Sequence, residues 1–203
     1  MTPGEIGCFL SHQACWQRIV DGDEQFGAVF EDDVIFSEHL ATFLNDANWV
    51  PADADLVKLE TVKAAVWLGA SKALSDGYEI TRMHSLHCGS GAYIISQSAA
   101  RQFLVATRRF VDGVDHALFN PACGACVGVR TYQVFPALCI QAQVLYRNAH
   151  ALRGDLALTA HSEPRYRDSL AHLPWLKRKA RSAARRIAHI ARGHRRIVVP
   201  FVK

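Results

Sequence analysis

Three consecutive acids, Glu31, Asp32 and Asp33, stand between two apolar runs, Ala28-Val29-Phe30 and Val34-Ile35-Phe36. Carboxylates held beside a core strand are costly unless a positive group neutralises them. A divalent cation does this well. Oxygen-only donors favour hard ions such as Mg2+ or Mn2+, which take one or two carboxylates and complete their shells with substrate phosphates. The stretch therefore predicts a metal and diphosphate site at a strand end, against the plainer reading of a solvated acidic turn. If strand geometry continues through the acids, Glu31 and Asp33 share one face and Asp32 takes the other. A Glu31/Asp33 pair and an Asp32/Asp33 pair both remain open.

Other residues could join that chemistry. Leu56-Val57-Lys58-Leu59-Glu60 alternates like a strand, with Lys58 and Glu60 on one face, either as a plain ion pair or as cleft residues. Asp115 interrupts an apolar stretch, and it either caps a helix at Ala117 or points into the acidic cleft. Cys88-Gly89-Ser90-Gly91 precedes a β-rich run. Glycines there let backbone pass close to a ligand or to another strand, although a tight turn needs the same residues. His12 lies on a helix, where packing competes with a site role. Cys123-Gly-Ala-Cys126 has no second CxxC or HxxxH partner, and the remaining cysteines sit in apolar contexts as small hydrophobes.

The elements that must position these groups are legible. Thr2-Pro3-Gly4-Glu5 has the capping-box spacing, and Ile6, Phe9, Leu10, Ala14, Trp16, Ile19 and Val20 continue a helix to Gly22. A strand over 26–36 follows, then a short helix capped by Ser37. Residues 61–82 read as a strand or hairpin region broken near Ser75-Asp76-Gly77. Ser96 or Ser98 caps a helix from Ala99 to Arg108, and 131–146 supplies a closing strand bent at Pro136. The alternation predicts an α/β layered fold.

Of the 203 residues, 50% are hydrophobic, which excludes a disordered chain. No apolar run approaches the roughly 20 residues of a membrane span. The N-terminus lacks a signal-peptide pattern, and with thiols in apolar contexts the expected location is the cytoplasm. Residues 175–203 contain 10 Lys or Arg and no acid, whereas 1–174 contain 13 basic and 19 acidic residues, a net charge of −6. Three regions are expected: an α/β domain over 1–146, a linker over 147–174 and a basic tail over 175–203. In the tail Leu176, Ala180, Ala183, Ile187 and Ile190 recur at helical spacing, predicting a basic amphipathic helix for an anionic membrane surface or, alternatively, one packed on its own domain. Without interleaved aromatics or a nucleic-acid motif, nucleic acid is not an expected partner.

TPGEIGCFLSHQACWQRIV, AVFEDDVIF, DLVKLE, GSGAYIISQSAARQFL and VDHALF, in this order, resemble glycosyltransferase family 25, the bacterial lipooligosaccharide β-galactosyltransferases and related enzymes. The match runs from residue 2 to about 145. The resemblance implies a GT-A-like, Rossmann-related α/β fold, a nucleotide sugar such as UDP-galactose, a divalent metal and inversion at the anomeric carbon. By the same resemblance, Glu31, Asp32 and Asp33 take the family's metal and diphosphate motif, and Asp115 matches its second essential acid, a candidate for orienting or deprotonating the acceptor hydroxyl; as the base, Asp115 is expected ahead of Glu60. Lys58, Gly89, Ser90, Gly91, Tyr93, His12 and His116 fall on matched motifs as substrate-binding positions. The acceptor is expected to be a glycolipid or oligosaccharide at the inner face of the inner membrane. Family members usually carry a strand and an Arg-bearing segment before the first helix, where this sequence has Met1. An N-terminally incomplete fold with weak donor binding is one expectation, and a catalytically inactive membrane-surface module is the alternative.

Overall fold

The computed structural model describes residues 1–146 and 175–203, so the expected linker over 147–174 lies outside the described residues. Helix α1 (Pro3–Asp21) forms as its letters dictate. Thr2 Oγ1 accepts from the Glu5 amide at 3.2 Å, Glu5 Oε2 accepts from the Thr2 amide at 2.6 Å, and Gly22 ends the helix. It buries Phe9, His12 and Trp16.

The strands are β1 (Phe26–Phe30), β2 (Val34–Phe36), β3 (Leu56–Lys58), β4 (Glu60–Thr61), β5 (Ala65–Ala73), β6 (Glu79–Met83), β7 (Ala92–Ser96), β8 (Thr131–Phe135), β9 (Cys139–Gln141) and β10 (Arg195–Val198). Seven of them form one sheet in the order β1-β7-β3-β8-β6-β5-β10, and β2-β9-β4 form a second. The main sheet is mostly antiparallel, with parallel pairing only between β3 and β8. The expected α/β class holds, with helices on both sides of a sheet whose strands are mostly antiparallel: hairpin β5–β6 turns at Ser75–Gly77 and needs no crossover helix. Side chains alternate across this sheet. Leu56, Tyr93 and Ile95 join the core with Phe9, Trp16, Phe103 and Phe119, while Val57, Ile94 and Val134 pack with Leu40 and Phe43. Helices α3 (Gln97–Ala106, capped by Ser96) and α4 (Val114–Phe119) lie with α1 on the first side, and α2 (Leu40–Leu44) on the second. The expected cap for α2 is corrected too: it starts after His39, and Ser37 is buried against Tyr78 Oη at 3.0 Å. A short α5 (Ala142–Leu145) follows β9.

The second sheet is built by three strands leaving the first. β1 runs into β2, β3 into β4, and β8 into β9, and each pair changes sheets within a few residues. The acidic triplet is one of these corners. Strand geometry therefore stops at Phe30, and the alternation expected through Glu31, Asp32 and Asp33 does not hold. The other corners are tied together, because the Leu138 and Cys139 amides both donate to the Leu59 carbonyl, at 2.8 and 3.0 Å.

The C-terminal region also departs from expectation. Helix α6 (Trp175–Ala191) ends well before Lys203, and β10 pairs antiparallel with β5 as an edge of the main sheet. Val199 is completely buried and accepts from Thr61 Oγ1 at 2.7 Å. Charge dominates the sequence there, but the alternating Ile197 and Val199 decide the structure.

Three histidines lie at this edge. His84 and His194 stack at 3.8 Å, His189 and His194 meet through their Nδ1 atoms at 2.9 Å, and Trp67 stacks on His189 at 4.7 Å. Burial, with His194, Arg82, His189 and Arg192 nearby, lowers the His84 pKa from 6.5 to about 4. A folded pKa below the unfolded value means that neutral His84 supports the fold fully above pH 6.5, and that this support is lost as pH falls towards 4. Acidification across this window is expected to release the β10 amides to hydrogen exchange ahead of those of β3 and β7. Uniform protection across all three strands would contradict the assignment.

Candidate active site

A cleft of about 330 Å³ opens beside the acidic corner, lined by Cys8, Glu31, Gly89, Ser90, Asp115 and Gln141 among others. Glu31 is its most constrained acid. Oε1 accepts from Ser90 Oγ at 2.7 Å and meets His12 Nε2 at 3.1 Å, while Oε2 accepts from Gln141 Nε2 at 2.8 Å. Burial alone would raise the Glu31 pKa, but the bonds from His12, Ser90 and Gln141 hold the carboxyl below its ordinary range. Behind it, Trp16 Nε1 donates to Tyr93 Oη at 2.8 Å, and Tyr93 Oη lies 2.8 Å from His12 Nδ1. The chain of contacts is consistent when Tyr93 donates to Nδ1 and His12 donates from Nε2 to Glu31.

The loop Gly89-Ser90-Gly91 serves a different acid with each residue. The Gly89 amide donates to Asp115 Oδ2 at 3.2 Å, Ser90 to Glu31, and the Gly91 amide to Glu60 Oε1 at 2.8 Å. Lys58 Nζ in turn donates to the Gly89 carbonyl and, at 2.9 Å, to Glu60 Oε1. The glycines are required by this crowding. A Cβ on Gly89, whose φ is +90°, would lie 2.8 Å from Glu60 Oε1 and 2.7 Å from Val62, and one on Gly91 would lie 2.9 Å from Glu60 Oε2.

Not every expected residue reaches the cleft wall. Glu31, Gly89, Ser90 and Asp115 do, and Asp115 does not cap α4: Gly113 holds that position, while Asp115 Oδ1 accepts from the His116 amide at 2.8 Å. Lys58, Glu60 and Tyr93 are fully enclosed and His12 is 4% exposed, so these four stand behind the wall and brace it. Glu60, expected as the other candidate base, and Lys58, Tyr93 and His12, expected as substrate-binding positions, are therefore placed behind the cleft lining rather than on it. The corner between β3 and β4 turns Lys58 and Glu60 inward, where they neutralise each other beneath the glycine loop and Lys58 lies 4.1 Å over the Phe119 ring. Gly91 belongs to the same buried layer, and His116 is half-buried beside Asp115. Sequence reasoning missed Gln141, for which a lone glutamine gives no signal, and Cys8 and Cys88, which were read only as small hydrophobes.

The acidic triplet does not converge as a unit. Asp32 is exposed, and among the described residues the convergent potential ligand groups are Cys8/His12/Glu31 and Cys88/Asp115/His116. Asp33 nevertheless has the features of a cation ligand. Its Oδ1 is enclosed without a hydrogen-bond partner, and burial, then the charges of Glu31 and Asp32, raise its pKa. A hard divalent ion at Asp33, which lies outside the residues lining the cleft, would satisfy that oxygen and oppose the rise, so Asp33 fits such an ion. Burial and the neighbouring Glu31, Asp115 and Asp33 push the Cys8 thiol up to about 12, which excludes it as a nucleophile at neutral pH.

An acid-lined pocket at the corners of a two-sheet α/β fold is the setting in which the class of this protein is defined. Residues 1–118, which carry α1, the acidic corner, the glycine loop and most of α4, match glycosyltransferase family 25 (LPS biosynthesis protein). The chain belongs to this family and is a glycosyltransferase. It is 32% identical to the lacto-N-neotetraose biosynthesis glycosyltransferase LgtE of Neisseria meningitidis serogroup B, over 97% of this chain and 78% of that protein. It is also 32% identical to the lipooligosaccharide biosynthesis protein lex-1 of Haemophilus influenzae, over 70% of this chain and 50% of that protein. A shorter match, 41% identical over 29% of this chain and 10% of the other, is to procollagen galactosyltransferase 1-A of Xenopus laevis.

Proposed function

We propose that the cleft moves galactose from UDP-galactose to a lipooligosaccharide or related glycan acceptor, inverting the anomeric carbon with the help of Mn2+ or Mg2+. The observation that carries this reading is the charge of the lining. Its ionised side chains are carboxylates, Glu5, Glu31 and Asp115, with no Lys or Arg among the lining residues. A diphosphate enters such a cleft only with a cation. Asp33 would hold the ion, with Asp32 beside it, and the ion would offset negative charge on the departing nucleotide. Galactose and the acceptor class rest on the names of the relatives, and the UDP carrier rests on the family resemblance.

In this reading Asp115 accepts the proton of the acceptor hydroxyl while the hydroxyl oxygen bonds to the anomeric carbon. The carbon–oxygen bond to the diphosphate breaks on the opposite face, and the nucleotide leaves with that electron pair. Asp115 is suited to this role because the Gly89 and His116 amides orient its carboxylate at the cleft. Glu31, held by three side chains, shapes the wall. Asp33→Asn is expected to raise the Mn2+ concentration for half-maximal transfer about tenfold or more, in initial-rate titrations. An unchanged Mn2+ dependence would reject Asp33 as a ligand.

The same proposal covers the acceptor's surroundings. Ile187 and Ile190 on α6 are 66% and 65% exposed within a helix rich in Lys and Arg, a pattern suited to an anionic membrane surface at the cytoplasmic face. No described helix is long and apolar enough to cross a membrane. The double variant Ile187→Glu/Ile190→Glu leaves β10 intact and is expected to abolish sedimentation with anionic vesicles. Sedimentation equal to that of the parent chain would remove the membrane role.

A further inference from the structure

We propose that Cys88, Asp115 and His116 form a second metal site, selective for a thiophilic transition ion such as Zn2+, that competes with catalysis by capturing the acceptor-side carboxylate. One sulfur, one oxygen and one nitrogen donor lie within 4.8 Å of one another at the join between the loop after β6 and the start of α4. All three residues are half-buried. Tetrahedral Zn2+ places such donors about 3.5 Å apart, from bond lengths of about 2.0–2.3 Å, so side-chain adjustments of about an ångström close the set.

The donor chemistry separates this site from the one at Asp33. A thiolate and an imidazole favour Zn2+ or Co2+ over Mn2+ and Mg2+, which prefer an all-oxygen shell. At the second site Asp115 accepts from two backbone amides and His116 Nδ1 lies 3.4 Å from Asn120 Nδ2, whereas the other convergent group, Cys8, His12 and Glu31, is tied more tightly into the wall by side chains. His12 uses both ring nitrogens, on Tyr93 and Glu31, and Glu31 is already committed to Ser90 and Gln141. At the second site burial and the Asp115 charge hold the Cys88 thiol pKa up at about 11. Metal binding there displaces the thiol proton to solvent and brings the sulfur and the carboxylate onto one ion. Three protein donors leave a fourth position for water.

Binding at this site is independent of the proposed sugar transfer, but inhibition through it rests on Asp115 acting as the base. Co2+ is the probe for binding, because a cobalt–thiolate bond absorbs in the near ultraviolet. The full chain, kept reduced with a thiol-free reductant, is expected to show this band on titration with Co2+ and to lose it when Zn2+ is added. Cys88→Ser should abolish the band, His116→Ala should weaken Co2+ binding about tenfold or more, and Cys8→Ser should leave it in place. No band in the parent chain, or one that survives Cys88→Ser, overturns the site. In transfer assays Zn2+ should inhibit the parent chain reversibly by chelation, and the residual rate of Cys88→Ser should be insensitive to Zn2+. Cobalt bound through Cys88 without Zn2+ inhibition would uphold the site and reject Asp115 as the base.

Discussion

Asp115→Asn is expected to lower kcat about a hundred- to ten-thousand-fold, with little change in the KM for the nucleotide sugar. The size follows from losing one positioned proton acceptor. The selectivity follows from the geometry. Asparagine keeps the shape, and its single oxygen can still accept from the Gly89 amide, as Asp115 Oδ2 does at 3.2 Å, while the bond that Oδ1 accepts from the His116 amide is given up, so the glycine loop and the donor side of the cleft should persist. An equal loss of kcat and of donor affinity would make Asp115 a structural strut instead. The parallel change Glu60→Gln discriminates further. Glu60 is fully buried and reaches the cleft only through Gly91 and Lys58, so its loss should act on stability before it acts on chemistry.

Lys58→Met carries the largest expected effect on folding. The ammonium has no solvent exposure, donates to Glu60 Oε1 at 2.9 Å and also bonds the Gly89 carbonyl. Burial raises the Glu60 pKa, with Lys58 opposing the rise, so removing Lys58 leaves an uncompensated acid in the interior. Breaking a buried pair in this way costs about 3–5 kcal/mol, and replacing both partners by apolar groups restores most of the loss. The urea midpoint of Lys58→Met should fall accordingly, and that of Lys58→Met/Glu60→Leu should recover. Transfer activity should not recover with it, because the double variant still lacks the acceptor for the Gly91 amide. Recovery of both together would mean that the pair holds up the fold without positioning the loop.

How much of this was legible in the letters depends on the range of the interactions. The capping box of α1 was readable because Thr2 and Glu5 are three residues apart and satisfy each other locally. The hairpin turn at Ser75–Gly77 and the Ser96 cap were local in the same way. The corners were not. Nothing near Glu31 announces that β1 and β2 belong to different sheets, a fact settled by pairing with β7 and β9, some 65 and 105 residues away in sequence. The adjacency of Lys58 and Glu60 was visible, yet their enclosure comes from the glycine loop and Phe119, which lie far along the chain. At β10 the basic residues masked a short apolar alternation, and the free edge of β5 places Ile197 while Thr61 of β4 holds Val199. Among the site residues, the acids and glycines stood out by type, whereas Gln141 and Cys88 gain meaning only from what they face.

The account depends on sugar transfer occurring in the cleft where Asp115 and the acidic corner meet. The most direct test is proton NMR of the product formed by the purified chain from UDP-galactose, Mn2+ and a truncated lipooligosaccharide acceptor. The account predicts a new β-linked galactose whose formation requires both acceptor and divalent ion. An α-linked product, or transfer at the same rate with all divalent ions chelated, would contradict it.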